Sequence, residues 1–292
     1  MKNVIGIGEI LWDVFPERKI LGGAPANFAY HVSQFGLNSY AISAIGNDLL
    51  GKEILDSLVE KHLDFLIENV DFPTGTVRVT LNEKGVPQYE ICEGVAWDNI
   101  PFTQQSEELA RICDAVCFGS LAQRNTVSRT TILKFLEIVP ATALKIFDIN
   151  LRQHFYTKEI IENSLKHCNI LKINDEEVIV IAELFDWQGL SEETVCKKIL
   201  DTYSLKIVIL TKGAIGSSVI TVNEASYIDT PKVHVADTVG AGDSFTGTFV
   251  AALLNGESVR NAHKLAVEVS AYVCTQHGGM PKLPDAFVEL YK

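Results

Sequence analysis

Short apolar runs rich in β-branched residues alternate with amphipathic stretches over most of the chain. The short runs predict strands, and the amphipathic stretches predict helices. The predicted strands are 4–8, 40–45, 115–120, 144–150, 169–174 and 206–211. The predicted helices are 25–35, 51–61, 126–138, 157–167, 174–184, 191–203, 243–255 and 258–276. This alternation predicts an α/β fold with a doubly wound, mostly parallel sheet flanked by helices on both faces.

Two separated segments interrupt this alternation. Residues 11–23 and 74–91 have the pattern of extended segments with hairpin turns, and EKG at 83–85 is the predicted turn of the second. Together they predict a small β-sheet lid, formed discontinuously from about 11–23 and 74–97 within a single domain of residues 1–292. The unpaired edges of such a lid offer a surface for a homodimer.

Composition narrows the class of protein. The chain has 292 residues, of which 47% are hydrophobic and 21% charged, as in globular enzymes of one α/β domain. The net charge of −12 argues against a nucleic-acid surface. We expect no membrane span, because no apolar run reaches about 18 residues, and we expect a cytoplasmic protein. The six cysteines lack metal-site spacing, so reduced thiols are expected.

The segment DTVGAGD at 237–243 directly precedes an apolar helical run. Gly240 and Gly242 allow a turn in which successive N–H groups, including that of Ala241, converge on an anion at the helix N-terminus. Asp243 then lies beside this anion hole. Taken alone, the segment fits an aspartate that only caps the helix as well as it fits an aspartate beside an anion hole.

Polar residues also follow the first predicted strand. In GGAPAN at 22–27, glycines that include Gly23 precede a helix, and Asn27 in its first turns could reach a polyol. An ordinary strand-to-helix junction explains this segment equally well. Asp13 lies near the carboxyl end of the first strand, where doubly wound sheets bind ligands, and a carboxylate there suits sugar hydroxyls. Trp97 is a candidate for stacking on a sugar, or else a core or lid-hinge aromatic.

These segments, with DINLR at 148–152, NDEE at 174–177 and TKGAIG at 211–216, resemble in order and spacing the PfkB or ribokinase-like carbohydrate kinases. The resemblance covers essentially the whole chain, and GEILWD with GGAPAN is most similar to the fructokinase branch. It implies that Asp243 is the catalytic base, which takes the proton of the sugar hydroxyl that attacks the γ-phosphate of ATP. The Gly240, Ala241 and Gly242 amides would stabilise the transferring phosphoryl group.

The resemblance also implies roles for the sugar and metal positions. Asp13, Gly23 and Asn27 match sugar-contacting positions. Arg152 would meet substrate oxygens or phosphates, with a surface ion pair as the alternative. Asn174 and Glu177 match a motif linked to the phosphates and, through water, to Mg²⁺, with helix capping as the alternative.

The resemblance also implies roles for residues on the nucleotide side. Thr211, Gly213 and Gly216 match a nucleotide-binding strand end and turn, to which Asn174, Gly240 and Gly242 also contribute. Asp237, with backbone groups near Val239, resembles a monovalent-cation site, and the use of K⁺ is left open.

The expected function is therefore an ATP- and Mg²⁺-dependent sugar kinase, with D-fructose as the first choice of substrate and fructose 6-phosphate as the product. Kinases of 2-keto-3-deoxygluconate, ribose or a nucleoside are the alternatives. A sugar-sensing protein on a degenerate kinase fold is a further alternative. The intact carboxylate and glycines of 240–243 argue against it.

Overall fold

A nine-stranded sheet and a separate four-stranded sheet organise the chain in the computed structural model, which describes residues 1–81 and 87–291. The strands are β1 (Asn3–Ile7), β2 (Leu11–Val14), β3 (Lys19–Gly22), β4 (Asn38–Gly46), β5 (Asp64–Val70), β6 (Thr76–Leu81), β7 (Pro87–Ile91), β8 (Ala115–Phe118), β9 (Leu144–Asp148), β10 (Ile170–Asn174), β11 (Ile207–Thr211), β12 (Gly216–Thr221) and β13 (Ala225–Asp229).

The helices are α1 (Ala24–Ser33), α2 (Leu49–Glu60), α3 (Gln104–Arg111), α4 (Thr126–Ile138), α5 (Lys158–His167), α6 (Asp175–Leu184), α7 (Glu192–Thr202), α8 (Ala241–Leu254), α9 (Val259–Val273) and α10 (Asp285–Val288). Short 3₁₀ turns cover Ala96–Asn99, Leu121–Gln123 and Glu289–Tyr291. All predicted strands and helices form, each with ends within three residues of the prediction.

The main sheet has the strand order β13-β12-β11-β10-β9-β8-β1-β4-β5. The strands from β11 to β5 run parallel, and β12 and β13 pair antiparallel at one edge. Successive residues of β1 face opposite sides: Val4 packs in the core that contains Phe249 of α8, and Ile5 in the core that contains Phe135 of α4. Helices therefore cover both faces, which confirms the predicted doubly wound α/β fold.

The small sheet has the order β3-β2-β6-β7, so it is built from the two segments that interrupt the alternating pattern. Trp12 of β2 anchors it to the main body by donating from Nε1 to the Leu50 carbonyl of α2 at 3.0 Å. A small separate sheet is thus confirmed. The predicted turn at 83–85 lies outside the described residues, and the function of this sheet as a lid stays a prediction.

All six cysteines are free thiols. Within residues 1–81 and 87–291, every helix is too short or too polar to cross a bilayer.

Candidate active site

Most of the predicted site residues lie around the carboxyl ends of the parallel strands. Asp13 comes from the first strand of the small sheet, Arg152 from the loop after β9, and Asn174 from the end of β10. Asn27 in α1 and Asp243 in α8 approach them from the helix layer. Strands that run parallel end at the same edge, so the topology creates one cleft from segments far apart in the chain.

The N-terminus of α8 requires glycine at 240 and has little space for a side chain at 242. Gly240 caps the helix in the left-handed region, with φ of 75°. A Cβ on it would lie 2.5 Å from the Gly279 Cα, so the two loops can approach only without a side chain. A Cβ on Gly242 would lie 3.0 Å from the Lys172 Nζ. The Ala241 N–H donates to the Thr238 carbonyl at 3.3 Å, and the next N–H groups of α8 are available for an anion.

Asp243 lies in the first turn of α8 and contacts another helix. Its Oδ2 accepts from the Asn27 Nδ2 at 2.7 Å. Burial raises the pKa of Asp243 to about 6, and the nearby Asp148 carboxylate adds to this, while the Asn27 hydrogen bond, Lys172 and Arg152 lower it. A carboxyl with a pKa near neutral pH can hold a proton during a reaction and release it afterwards.

Two further carboxyls and one guanidinium lie on the predicted sugar side of the site. Burial raises the pKa of Asp13 to about 6 and that of Glu9 to about 7. The exposed Arg152 lowers both values and also that of Asp243, so it lies near all three carboxyls. Its Nη1 donates to the Leu151 carbonyl at 3.0 Å. In the described part of the chain Arg152 makes no carboxylate contact within 4 Å, so the surface ion pair is not observed.

Glu9 has no role in the expectations from sequence, although it is only 2% exposed. Its Oε2 is buried without a hydrogen-bond partner among the described residues. The sequence signal that could have identified Glu9 is its position, because it directly follows the glycine at the end of the first predicted strand.

A buried ion pair lies below the first turn of α8. Lys172 of β10 and Asp148 of β9 are register partners, with Nζ and Oδ1 3.1 Å apart and side chains 9% and 6% exposed. The Thr246 hydroxyl donates to the Asp148 Oδ2 at 3.1 Å. Burial lowers the pKa of Lys172, but Asp148, Glu177 and Asp243 outweigh it and raise the value to about 12. The available sequence signal was a lysine inside an otherwise apolar strand, since a buried charge requires a partner.

Asn174 and Glu177 form a reciprocal capping box at the start of α6. The Glu177 N–H donates to the Asn174 Oδ1 at 2.8 Å, and the Asn174 N–H donates to the Glu177 Oε2 at 2.9 Å. The Glu177 Oε1 also accepts from the Leu151 N–H at 2.9 Å. The helix cap of the alternative interpretation is therefore present in the structure. The bond from the Leu151 N–H to Glu177 also holds the loop that carries Arg152.

A pocket of about 560 Å³ opens beside the N-terminus of α8. The predicted nucleotide-side residues Thr211, Gly213, Gly216 and Gly242 line it, whereas Asn174 and Gly240 are not part of its lining. Apolar side chains, Phe245 among them, supply much of the remaining wall. The volume and the apolar wall are those of a small-molecule site.

Asp237 joins two loops next to this site. Its Oδ1 accepts from the Val239 N–H at 3.0 Å, and its Oδ2 accepts from the Gly278 N–H at 3.1 Å. Across the described ranges, no three His, Cys, Asp or Glu side chains are grouped as metal ligands. A metal ion at this site would therefore rely on phosphate, water or backbone oxygens for its remaining ligands.

Trp97 does not face the cleft. It is 0% exposed, the Arg124 guanidinium lies 4.0 Å above its ring, and a Cβ on Gly75 would lie 2.2 Å from its Nε1. The expectation of sugar stacking is corrected, because both faces of the indole lie inside the protein. Trp97 is instead a core aromatic, as the alternative interpretation predicts. It lies beside Gly75, which directly precedes β6.

Comparison with known proteins gives a family and several relatives. The family described as pfkB family carbohydrate kinase matches residues 11–286. The ATP-dependent 6-phosphofructokinase of Thermoanaerobacterium thermosaccharolyticum is 29% identical, over 97% of this chain and 91% of that protein. The fructokinase of Salmonella typhimurium is 25% identical, over 95% of both chains.

Among solved structures, a putative ribokinase II from E. coli in complex with ATP and Mg²⁺ superposes with a TM-score of 0.84. It is 22% identical and covers 100% of this chain and 99% of that one. This similarity shows that the two proteins share a fold.

Proposed function

The chain belongs to the PfkB family of carbohydrate kinases, and from this premise we propose that it phosphorylates D-fructose with ATP to give fructose 6-phosphate. The observation that carries the proposal is the contact between Asn27 and Asp243 at the N-terminus of α8. It supports the proposal because a carboxyl of raised pKa lies next to the pocket that the predicted nucleotide-side residues line and near the acids of the predicted sugar side.

The proposed step is a single displacement at phosphorus. The sugar hydroxyl oxygen forms a bond to the γ-phosphorus of ATP while the bond from that phosphorus to the β,γ-bridging oxygen breaks, which releases ADP. Asp243 takes the hydroxyl proton. The first N–H groups of α8 stabilise the phosphoryl oxygens, and the pair of electrons from the broken bond leaves with ADP.

The cleft suits a neutral sugar. The carboxyls of Glu9, Asp13 and Asp243 can accept hydrogen bonds from hydroxyls, and Arg152 can donate to hydroxyl oxygens. A phosphorylated sugar would bring further negative charge among these acids. On the small sheet Asp13 pairs with Val77, so the neighbouring Arg78 points to the opposite face, where it pairs with Glu90 at 3.5 Å.

Gly23 supports the sugar side through its backbone. Its φ is 117°, and a Cβ on it would lie 2.4 Å from the Glu9 carbonyl oxygen. This close approach holds the start of α1, and thus Asn27, against the cleft.

We assign Mg²⁺ to the nucleotide phosphates. Glu177 fits a water-mediated role, because each of its oxygens already accepts a backbone N–H and still has a lone pair for water. When bound, the ion would neutralise phosphate charge. Asp237 is the proposed anchor of a monovalent cation, with K⁺ as the ion to test.

A second candidate substrate is fructose 6-phosphate, which the similarity to the 6-phosphofructokinase favours. Arg152 would then hold the second phosphate. The raised pKa values of Asp13 and Glu9 make this less costly, since protonation removes their negative charge.

A coupled assay of ADP release tests the proposal with fructose, fructose 6-phosphate, ribose, glucose, 2-keto-3-deoxygluconate and adenosine. We expect the highest kcat/KM with fructose. A preference for fructose 6-phosphate would select the second candidate. Binding of a sugar without turnover would favour a sensor, and failure of every substrate would overturn the proposed function.

A further inference from the structure

The ion pair between Lys172 and Asp148 is expensive to bury. Both side chains are more than nine-tenths buried. Removing two charges from water costs several kcal/mol for each ion, and well-packed apolar residues often stabilise a fold as well or better. A stabilising role is therefore a weak explanation for this pair.

Its position offers a better explanation. Lys172 and Asp148 lie side by side on β10 and β9, and Thr246 connects Asp148 to the second turn of α8. The Lys172 ammonium reaches the underside of the first turn, at 3.0 Å from where a Cβ of Gly242 would be. A larger residue at 242 would require the ammonium to shift. The cation thus lies directly behind the amides that face the transferring group.

We propose that Lys172, held in place by Asp148, is the fixed cation of the anion hole and a positioning residue for phosphoryl transfer. It stabilises the negative charge on the phosphoryl oxygens through the first turn of α8, and it offsets part of the Asp148 charge beside Asp243. This inference rests on the proposed kinase function. It adds a charge that the backbone amides and the helix dipole do not provide.

Several charged or titratable groups surround Asp243, and the test must separate their effects. They are Glu9 after β1, Cys117 on β8, Asp148 on β9, Arg152 after β9, Lys172 on β10 and Glu177 on α6 beside Lys172. Of these, Lys172 and Arg152 favour the ionised form of Asp243, whereas Asp148 disfavours it.

Three variants test the inference: Lys172→Met, Asp148→Asn and the double variant. The readouts are kcat against pH and ATP affinity by calorimetry. In wild type we expect half-maximal kcat near pH 6, the pKa of Asp243. Lys172→Met leaves Asp148 uncompensated, so this midpoint should rise by roughly one pH unit, and Asp148→Asn should lower it. Opposite shifts would show that both charges act on Asp243, and the kcat of the double variant tests the separate action of Lys172 on the phosphoryl group.

Lys172→Met buries an unpaired Asp148 and could fail to fold. The double variant buries no unpaired charge, so it can still be measured in that case. Its midpoint should return towards the wild-type value. Its kcat should still be about 10²-fold below wild type at the optimal pH, as for the loss of an oxyanion-hole donor, with nearly unchanged ATP affinity.

Arg124→Met is the matched control. It breaks the buried pair of Arg124 with Asp98, whose side chains are 6% and 3% exposed, and it should lower the melting temperature without moving the midpoint. A double variant with wild-type kcat, or midpoints that shift in the same direction in both single variants, would overturn the inference while the proposed function stands. Absence of wild-type turnover with every sugar would refute the proposed function itself.

Discussion

At the scale of single residues, the sequence predicts the polar side chains of the cleft but not the charges that surround them. Asn27 of α1 and Asp243 of α8 form a hydrogen bond at 2.7 Å, and both Asp13 and Asp243 lie near Arg152. Lys172 and Glu9 could not be assigned from pattern alone. Whether a charge inside an apolar run meets a partner depends on the neighbouring strand, and the sequence does not show which strand that is.

Asp13→Ala should raise KM for the sugar at least tenfold and leave KM for ATP nearly unchanged. Asp13 lies on β2 among the acids of the sugar side, and it is absent from the lining of the 560 Å³ pocket. Initial rates with each substrate varied in turn test this. Equal increases in both KM values would remove Asp13 from the sugar site.

At the scale of elements, the buried parallel strands were predicted and the strands at the sheet edges were not. The strands β8 and β11 are almost fully buried, and their sequences are nearly continuous apolar runs. The edge strands β5 and β13 are mostly half-buried or exposed. In β12 only Val219 and Ile220 are consecutive apolar residues, so the antiparallel β12–β13 hairpin has no long apolar run and was missed.

The two glycines that flank α8 allow a matched comparison. Gly240 and Gly256 both have positive φ, but a Cβ on Gly240 would lie 2.5 Å from the Gly279 Cα, whereas a Cβ on Gly256 would meet no atom within 4 Å. Gly256→Ala should cost only left-handed backbone strain, about 1 kcal/mol of unfolding free energy. Gly240→Ala should cost more and should also abolish turnover.

Chemical denaturation and kcat for both variants test this comparison. An active Gly240→Ala variant as stable as Gly256→Ala would show that the contact between the loops at 240 and 279 is not required.

At the scale of the whole molecule, two sheets contribute to one cleft. The doubly wound order was predictable because helices and strands alternate regularly. The placement of the small sheet could not be predicted, because it depends on the parallel pairing of β2 with β6, which are about sixty residues apart in the chain. Ile20 of the small sheet lies close to Gly278, since its Cγ2 would be 3.4 Å from a Cβ at that position. Gly278 donates its N–H to Asp237, so the small sheet lies against the loop that holds Asp237.

If the small sheet is a lid, sugar binding should slow amide hydrogen exchange in residues 11–22 and 76–81. The reason is that Asp13 would bridge the sugar and the sheet, which reduces local opening. The edge strand β13, which belongs to the other sheet, is the internal control. Mass spectrometry with and without fructose tests this, and unchanged exchange in both segments would refute the lid. Dimerisation through its edges remains a prediction.

The central claim is that Asp243 takes the proton of the sugar hydroxyl. Asp243→Asn keeps the size of the side chain and its ability to accept from Asn27, but it cannot take a proton at neutral pH. The decisive measurement is kcat of this variant, together with its ATP affinity and melting temperature. The account predicts a loss of kcat of about 10²-fold or more, with ATP affinity and melting temperature nearly unchanged. A folded, ATP-binding variant with near-normal kcat would contradict it.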